Sequence, residues 1–561
     1  MNSGIGLKKS LGKSLPFTHF SAPVSESSRS TSGGFKATAL YRLLLLGSAP
    51  KGVLFDVPDV WPGDPQAGRQ TLAGAFAHGP ESHHLMSAGA LPETASREWA
   101  AWFHGHGWLK DLCALGGGEA PYFAREWLSA WIDANQNWDA VAWAPEVVAE
   151  RLINWCQHWS FLVREDGSGP FEKQLRRTAG REARHLMRSI PGPKAGFRRL
   201  HALKGQAYAT FALLGGDGRK HQSLARLEKE IQSQILPDGG HVERNPELLT
   251  GVLKDLLELK AMLCAATGDV PSFVVNAIDR VAPMVRALRH PDGGLALFNG
   301  GLENDPAWLD LLLAQTDSNA KPPYNAPHAG FQRLSAGTVH LILDCGQPTK
   351  VGQNQHAGML SFEMSAGKNR LIVNCGARIR HDDPWRTALA ATAAHSTLTV
   401  NDTSSAAFGI GGELTRGPDT VTAKRQDVEE GTLVETSHDG YLSAFGLTHH
   451  RALFVASHGT DVRGEDRLIG TGGDHFTIRF HLHPTVKASV LGDGHGVLLR
   501  LPGKDVWRLR CSADEVRLEE SVYLGHAGPG SEARRSEQIV ITGPLSGNGA
   551  LVKWALTRDG S

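Results

Sequence analysis

Between residues 38 and 320 the apolar positions recur three and four apart, the period of helices that bury one face. Glu98–His106 and Tyr122–Asn135 read as two such helices with long aromatic faces. Pro145, with Glu146 beside it, opens the run Val147–Phe161, and Pro246 with Glu247 opens Leu248–Ala266. Proline suits a first helical turn because its missing N–H would have no partner there anyway. Glycine pairs at Gly215-Gly216, Gly239-Gly240 and Gly293-Gly294 separate these runs, which predicts antiparallel helical hairpins stacked in an arc.

Beyond the polar, proline-bearing stretch Asp317–Pro327 the period changes to two. Thr338–Asp344, Met359–Ser365, Arg370–Asn374, Ser396–Asn401, Leu442–Thr448, His475–His483, Gly496–Arg500 and Asp505–Arg510 alternate between glycine and aspartate turns. Alternation of this kind predicts half-buried strands, most simply in a large antiparallel sandwich. The first 35 residues are rich in Ser, Gly and Lys and lack apolar period. The expected division is therefore a disordered segment over 1–37, a helical domain over 38–318 and a β-domain over 328–556. The run Ala39–Leu46 reads as the first helix. An export signal is the alternative, disfavoured by its late position and by Arg42.

Composition narrows the functional classes. A chain of 561 residues is too long for one ordinary core. Lys+Arg and Asp+Glu number 58 each, so overall charge offers no attraction for nucleic acid. An acidic polymer would have to be held by a local basic cleft. No run approaches the length of a membrane span. The six cysteines form no CxxC pair and read as free thiols, several of them buried, and they say little about compartment. Nine of the 14 tryptophans fall between 99 and 159, among them Trp102 and Trp143. They suit helix packing, and equally the stacking of sugar rings.

Three blocks recur in a telling order: Gln353-Asn354-Gln355-His356-Ala357-Gly358, then Arg370-Leu371-Ile372-Val373-Asn374-Cys375-Gly376, then Ala394-His395-Ser396-Thr397. Upstream stand Arg198-Arg199-Leu200-His201-Ala202-Leu203-Lys204-Gly205 and Asp238-Gly239-Gly240-His241-Val242-Glu243-Arg244-Asn245-Pro246. Together these resemble the heparinase II/III family of polysaccharide lyases over roughly residues 40 to 555. The resemblance implies a multidomain α+β chain, with an N-terminal incomplete (α/α) toroid followed by a C-terminal antiparallel β-sandwich. It also implies β-elimination on a uronate-containing acidic polysaccharide or oligosaccharide, and a place in the cell envelope or periplasm. A cytoplasmic role on oligosaccharides is the alternative.

β-Elimination needs a group that neutralises the uronate carboxylate, a base for the adjacent proton and an acid for the leaving oxygen. The resemblance makes His201, His241, His356 and Asn354 the catalytic candidates. Arg244, Lys204, Arg380, Arg386, Trp102 and Trp143 are candidates for substrate binding. His356, His395 and Asn374 match positions that hold a metal in some relatives. No cofactor is required, and structural zinc is the one metal to consider. Each candidate also has a plain structural reading: a hydrogen-bonded turn, a solvated helix face or a packed core. Departures from the family pattern bear on the chemistry. Where active relatives carry a tyrosine, this chain reads Glu247-Leu248-Leu249. Asn354 stands for a histidine, Asn374 for an aspartate and Ala390 for an arginine. Two alternatives to an active lyase follow, a carbohydrate-binding protein of the same fold that has lost the chemistry, and a glycoside hydrolase with paired carboxylates.

Overall fold

The computed structural model describes residues 34, 36, 38–163, 169–378, 383–409, 412–503, 505–526 and 532–559. The expected disordered segment therefore lies almost wholly outside the described residues, as does Arg380. The chain forms two compact units, one of residues 1–192, 198–230 and 255–275, the other of 193–197, 231–254 and 276–561. Among the described residues no helix is long and apolar enough to cross a membrane.

The first unit is helical, and its element starts follow local chemistry. Ser96 caps the helix Arg97–Gly105 by accepting from the Trp99 N–H, and His106 ends it in the left-handed conformation. Pro145 occupies the first turn of Pro145–Gln157 as its sequence predicts, although the helix stops before Phe161 and a short turn, Trp159–Leu162, follows. The tryptophan belt is this unit's core. Trp99, Trp108, Trp131 and Trp155 are fully buried. Their indole N–H groups find partners, Trp131 on His104 Nδ1 at 2.9 Å and Trp155 on His106 Nδ1 at 2.9 Å. Arg151 lies over the Trp131 ring at 4.5 Å and is paired with Glu182 at 2.8 Å, so a buried cation is neutralised inside an aromatic cluster.

The second unit carries an antiparallel β-sandwich. One sheet has eight strands, in the order Val421–Val428, Gly431–Tyr441, Leu447–Ala456, Asp461–Gly470, Ala550–Arg558, Val506–Cys511, Gly496–Arg500, Lys487–Val490. The other has nine strands and runs from Val516–Tyr523 through Arg534–Pro544 and His475–Leu482 to Asn369–Val373, Phe362–Ala366, Val339–Asp344, Phe331–Ala336 and Asn325–Ala326. Leu398–Val400 pairs with His475–Leu482 off that path. One apolar core joins the two sheets, including Phe362, Phe480 and Trp554. Trp554 stacks on Phe362 at 5.7 Å because Gly464, its cross-strand partner, has no side chain in the way. A Cβ at Gly464 would lie 2.1 Å from the indole.

One predicted strand is corrected. Leu442–Thr448 is a single helical turn, Leu442–Phe445, followed by the strand Leu447–Ala456. Gly446, left-handed at φ 63°, lets the chain reverse between two long strands at that point.

Candidate functional site

In the first unit, His201 and Lys204 project from the helix Phe197–Tyr208 onto two carboxylates of Pro246–Thr267. His201 Nδ1 lies 2.9 Å from Asp255, and its Nε2 lies 3.1 Å from Glu150. Lys204 Nζ donates to Asp255 at 2.5 Å and to Glu258. Trp61 Nε1 and the Tyr208 hydroxyl also donate to Glu258, the latter to its carbonyl at 3.1 Å. Burial works against the charge on His201, but the facing Asp255 outweighs it and lifts the group to about 9. Lys204 is raised further by the same balance of burial against two carboxylates. Asp255 and Glu258 are not among the residues singled out from the sequence; their spacing inside an apolar run is the signal that marks them, since charged residues there need buried partners. Trp102 and Trp143 are both in the packed interior, 5% and 4% exposed. Trp102 stacks on His78, and Trp143 lies under Arg181.

The remaining described candidates belong to the second unit. His241 has both ring nitrogens engaged, Nε2 with Gln234 Oε1 at 2.8 Å and Nδ1 accepting from the Glu243 N–H at 3.2 Å. It is neutral, and burial pushes it down to about 3. Arg244 spends its guanidinium on the carbonyls of Ala329, Gly330 and Gln347 and on the Asp344 carboxylate. Asn299 donates both to the Arg244 carbonyl at 3.0 Å and to Asp344 at 3.2 Å, so the pair is tied from two sides. At the position where a tyrosine is expected, Glu247 accepts from the Leu302 N–H, and burial raises it to about 7. Leu248 and Leu249 beside it are buried. Arg386 reaches the Gln353 carbonyl at 3.1 Å and Asn354 Oδ1 at 3.4 Å.

His356 and His395, expected near one another, are 3.2 Å apart at Nδ1 and Nε2. His395 Nδ1 faces the Ala391 carbonyl at 2.9 Å, which fixes its proton there and leaves Nε2 to accept from His356. Both rings are buried and shifted toward the neutral form by that burial. Two zinc-bound nitrogens would stand about 3.3 Å apart in tetrahedral geometry, so the imidazoles alone would suit the metal. The third donor does not. Asn374 accepts from the Ser396 N–H through Oδ1 and donates to the Leu297 carbonyl through Nδ2. Among the described residues no three of His, Cys, Asp and Glu are grouped to hold a metal ion. The set present does not fit zinc.

The six tyrosines of the chain complete the account. Four have committed hydroxyls: Tyr41 on His185, Tyr208 on Glu258, Tyr441 on Leu398 and Tyr523 on Glu303. The other two, Tyr122 and Tyr324, are 65% and 53% exposed.

Comparison with known proteins agrees with this fold. Residues 319–555 match the family model for the heparinase II/III-like C-terminal domain. The chain is 31% identical over 541 residues, 92% of each chain, to FtsZ-localized protein C of Caulobacter vibrioides. It superposes on the crystal structure of heparinase III with a TM-score of 0.71 at 14% identity, covering 94% of this chain and 91% of that one. A mutant heparan sulfate lyase from Pedobacter heparinus gives 0.63 at 15% identity, with coverage of 93% and 87%. The Streptomyces coelicolor chondroitin AC lyase in complex with chondroitin sulphate gives 0.54 at 12%, with coverage of 89% and 79%. The helical half followed by the antiparallel sandwich is thus the fold of these lyases, and the chain belongs to the heparinase II/III-like family.

Proposed function

We propose that this chain is a lyase-fold protein that works by binding at the cell-division site, without carrying out β-elimination. One observation carries the reading: three of the side chains that elimination would call on, Arg244, Lys204 and His241, are bound to partners inside their own units. Arg244 is held by Asp344, Lys204 by Asp255 and Glu258, and His241 by Gln234. A neutraliser must be available to the uronate, and a base must reach its proton, before either contributes. No tyrosine occupies the expected position, and four of the six tyrosine hydroxyls serve internal bonds. The full-length likeness to FtsZ-localized protein C supplies the setting, association with FtsZ.

Two assays test this together. An unsaturated uronate absorbs in the ultraviolet, so the purified chain is incubated with heparan sulfate, chondroitin sulphate and alginate. The expected result is no rise in absorbance. A rise that is lost in His201→Ala or His356→Ala would return the chain to the active lyases. Co-sedimentation with polymerised FtsZ from the same organism is expected to carry the protein into the pellet, and absence from the pellet would remove the division-site reading.

A further inference from the structure

The outer face of the eight-stranded sheet holds an open groove of about 540 Å³. Its floor is hydrocarbon, formed by Leu433, Ala452, Phe454 and Ala555. Cross-strand register builds it: Leu433 faces Phe454, Phe454 faces Arg463, and Ala555 sits between Arg463 and Arg510. One row lower, Ala452 faces Glu465, which faces Lys553. Three cations and one acid therefore line an apolar trough. The cations stand in solvent, with side chains 67% exposed at Arg463, 54% at Arg510 and 67% at Lys553.

We propose that this groove docks an extended acidic peptide segment, which buries a large apolar side chain on Phe454 and Leu433 and sets its carboxylates on Arg463, Arg510 and Lys553. The spacing suits that occupant. Arg463 and Arg510 are two strands apart across Ala555, which is about 10 Å, and an extended chain covers the same distance in about three residues. The cations already touch acids, Arg463 with Asp461 at 2.6 Å, Arg510 with Asp493 at 2.9 Å and Lys553 with Glu465 at 3.8 Å. Pairs whose cation stands this far in solvent contribute at most about 1 kcal/mol, so a ligand carboxylate can share these cations. A glycan fits less well, because Leu433, Ala452, Phe454 and Ala555 offer no side-chain donor or acceptor, so a sugar ring seated on them would desolvate hydroxyls that the charged groups and Ser512 around them satisfy only in part. The volume is that of a ligand site and admits a leucine or phenylalanine with its neighbours.

The test uses the full chain and a fluorescein-labelled synthetic peptide in which Leu and Phe are flanked by Glu, read by anisotropy. Binding is expected, weakening with added salt, and falling about tenfold in each of Arg463→Glu and Lys553→Glu. Lys553 is exposed and its partner Glu465 stands 3.8 Å away, so Lys553→Glu should keep the wild-type melting temperature and serves as the control for folding. Phe454→Ala is expected to weaken binding without changing the salt slope. A peptide with Lys in place of Glu is expected not to bind. The proposal is overturned if the acidic peptide does not bind, or if its binding is unchanged in both charge-reversal variants. It is likewise overturned if a heparin oligosaccharide or phosphatidylglycerol vesicles bind in the peptide's place and those variants abolish that binding.

Discussion

Arg244 is held with its backbone in the left-handed region, at φ 55°, and with its guanidinium divided among three carbonyls and the Asp344 carboxylate. A forked, planar cation suits such a site because each N–H points at a separate acceptor. Removing it would leave the buried Asp344 carboxylate without a cation, held only by Asn299 and the Gly346 N–H. Arg244→Met is therefore expected to lower the unfolding free energy by about 3–5 kcal/mol in denaturant titrations. Arg244→Lys should recover part of that loss, since the charge returns but the fork does not. The opposite pattern, unfolding unchanged while binding to a uronate polymer falls, would show that the guanidinium serves a substrate. The same logic separates residues that sequence identifies from those it does not. His201, Lys204, His241 and Arg244 stood out as chemistry-bearing types in recognisable blocks. Their partners lie 7 to 100 positions away, at Gln234, Asp255 and Asp344, and only the fold brings them together.

At the scale of elements, periodicity placed the helices it named, such as Glu98–His106 and Tyr122–Asn135, to within a few residues, because caps and first-turn prolines mark such helices locally. Ser96 and Pro145 are examples. The sheet was less legible. A strand such as Val421–Val428 carries mostly polar, exposed residues, so its alternation is faint, and hydrogen bonding to a long neighbour defines it. The interior of the eight-stranded sheet depends on one small residue in its fifth-strand contact, where Gly464 makes room for Trp554. Gly464→Ala should cost about 1–3 kcal/mol through overpacking. Combining it with Trp554→Leu should cost less than the sum of the two single changes, because the smaller side chain relieves the clash. Additive losses in a double-mutant cycle would mean that the glycine is needed for some other reason.

At the scale of the whole molecule, titration sets the limits of stability. Six buried histidines, His104, His158, His185, His241, His340 and His481, are pushed down to about 3 or 4, chiefly by burial. A folded-state value below the unfolded 6.5 means that the unfolded chain takes up protons first as the pH falls. The stability these neutral groups confer is complete above about 6.5 and is lost below it. At pH 5 each one costs about 2 kcal/mol. Glu247, raised to about 7, and Asp111, raised to about 6, act in the other direction, because the folded state holds their protons first. They return part of that loss at pH 5, but fewer groups act in this direction than in the other, so acid destabilises the fold. On the alkaline side, His201 at about 9 stabilises fully below 6.5 and loses that contribution as the pH rises toward 9. Melting temperature is thus expected to peak near pH 7, to fall steeply between pH 6.5 and 5, and to decline more gently toward pH 9. His201→Gln should remove the alkaline decline and leave the acid limb in place. A melting temperature that stays flat from pH 7 down to pH 5 would mean that these imidazoles reach water or an acidic partner in solution.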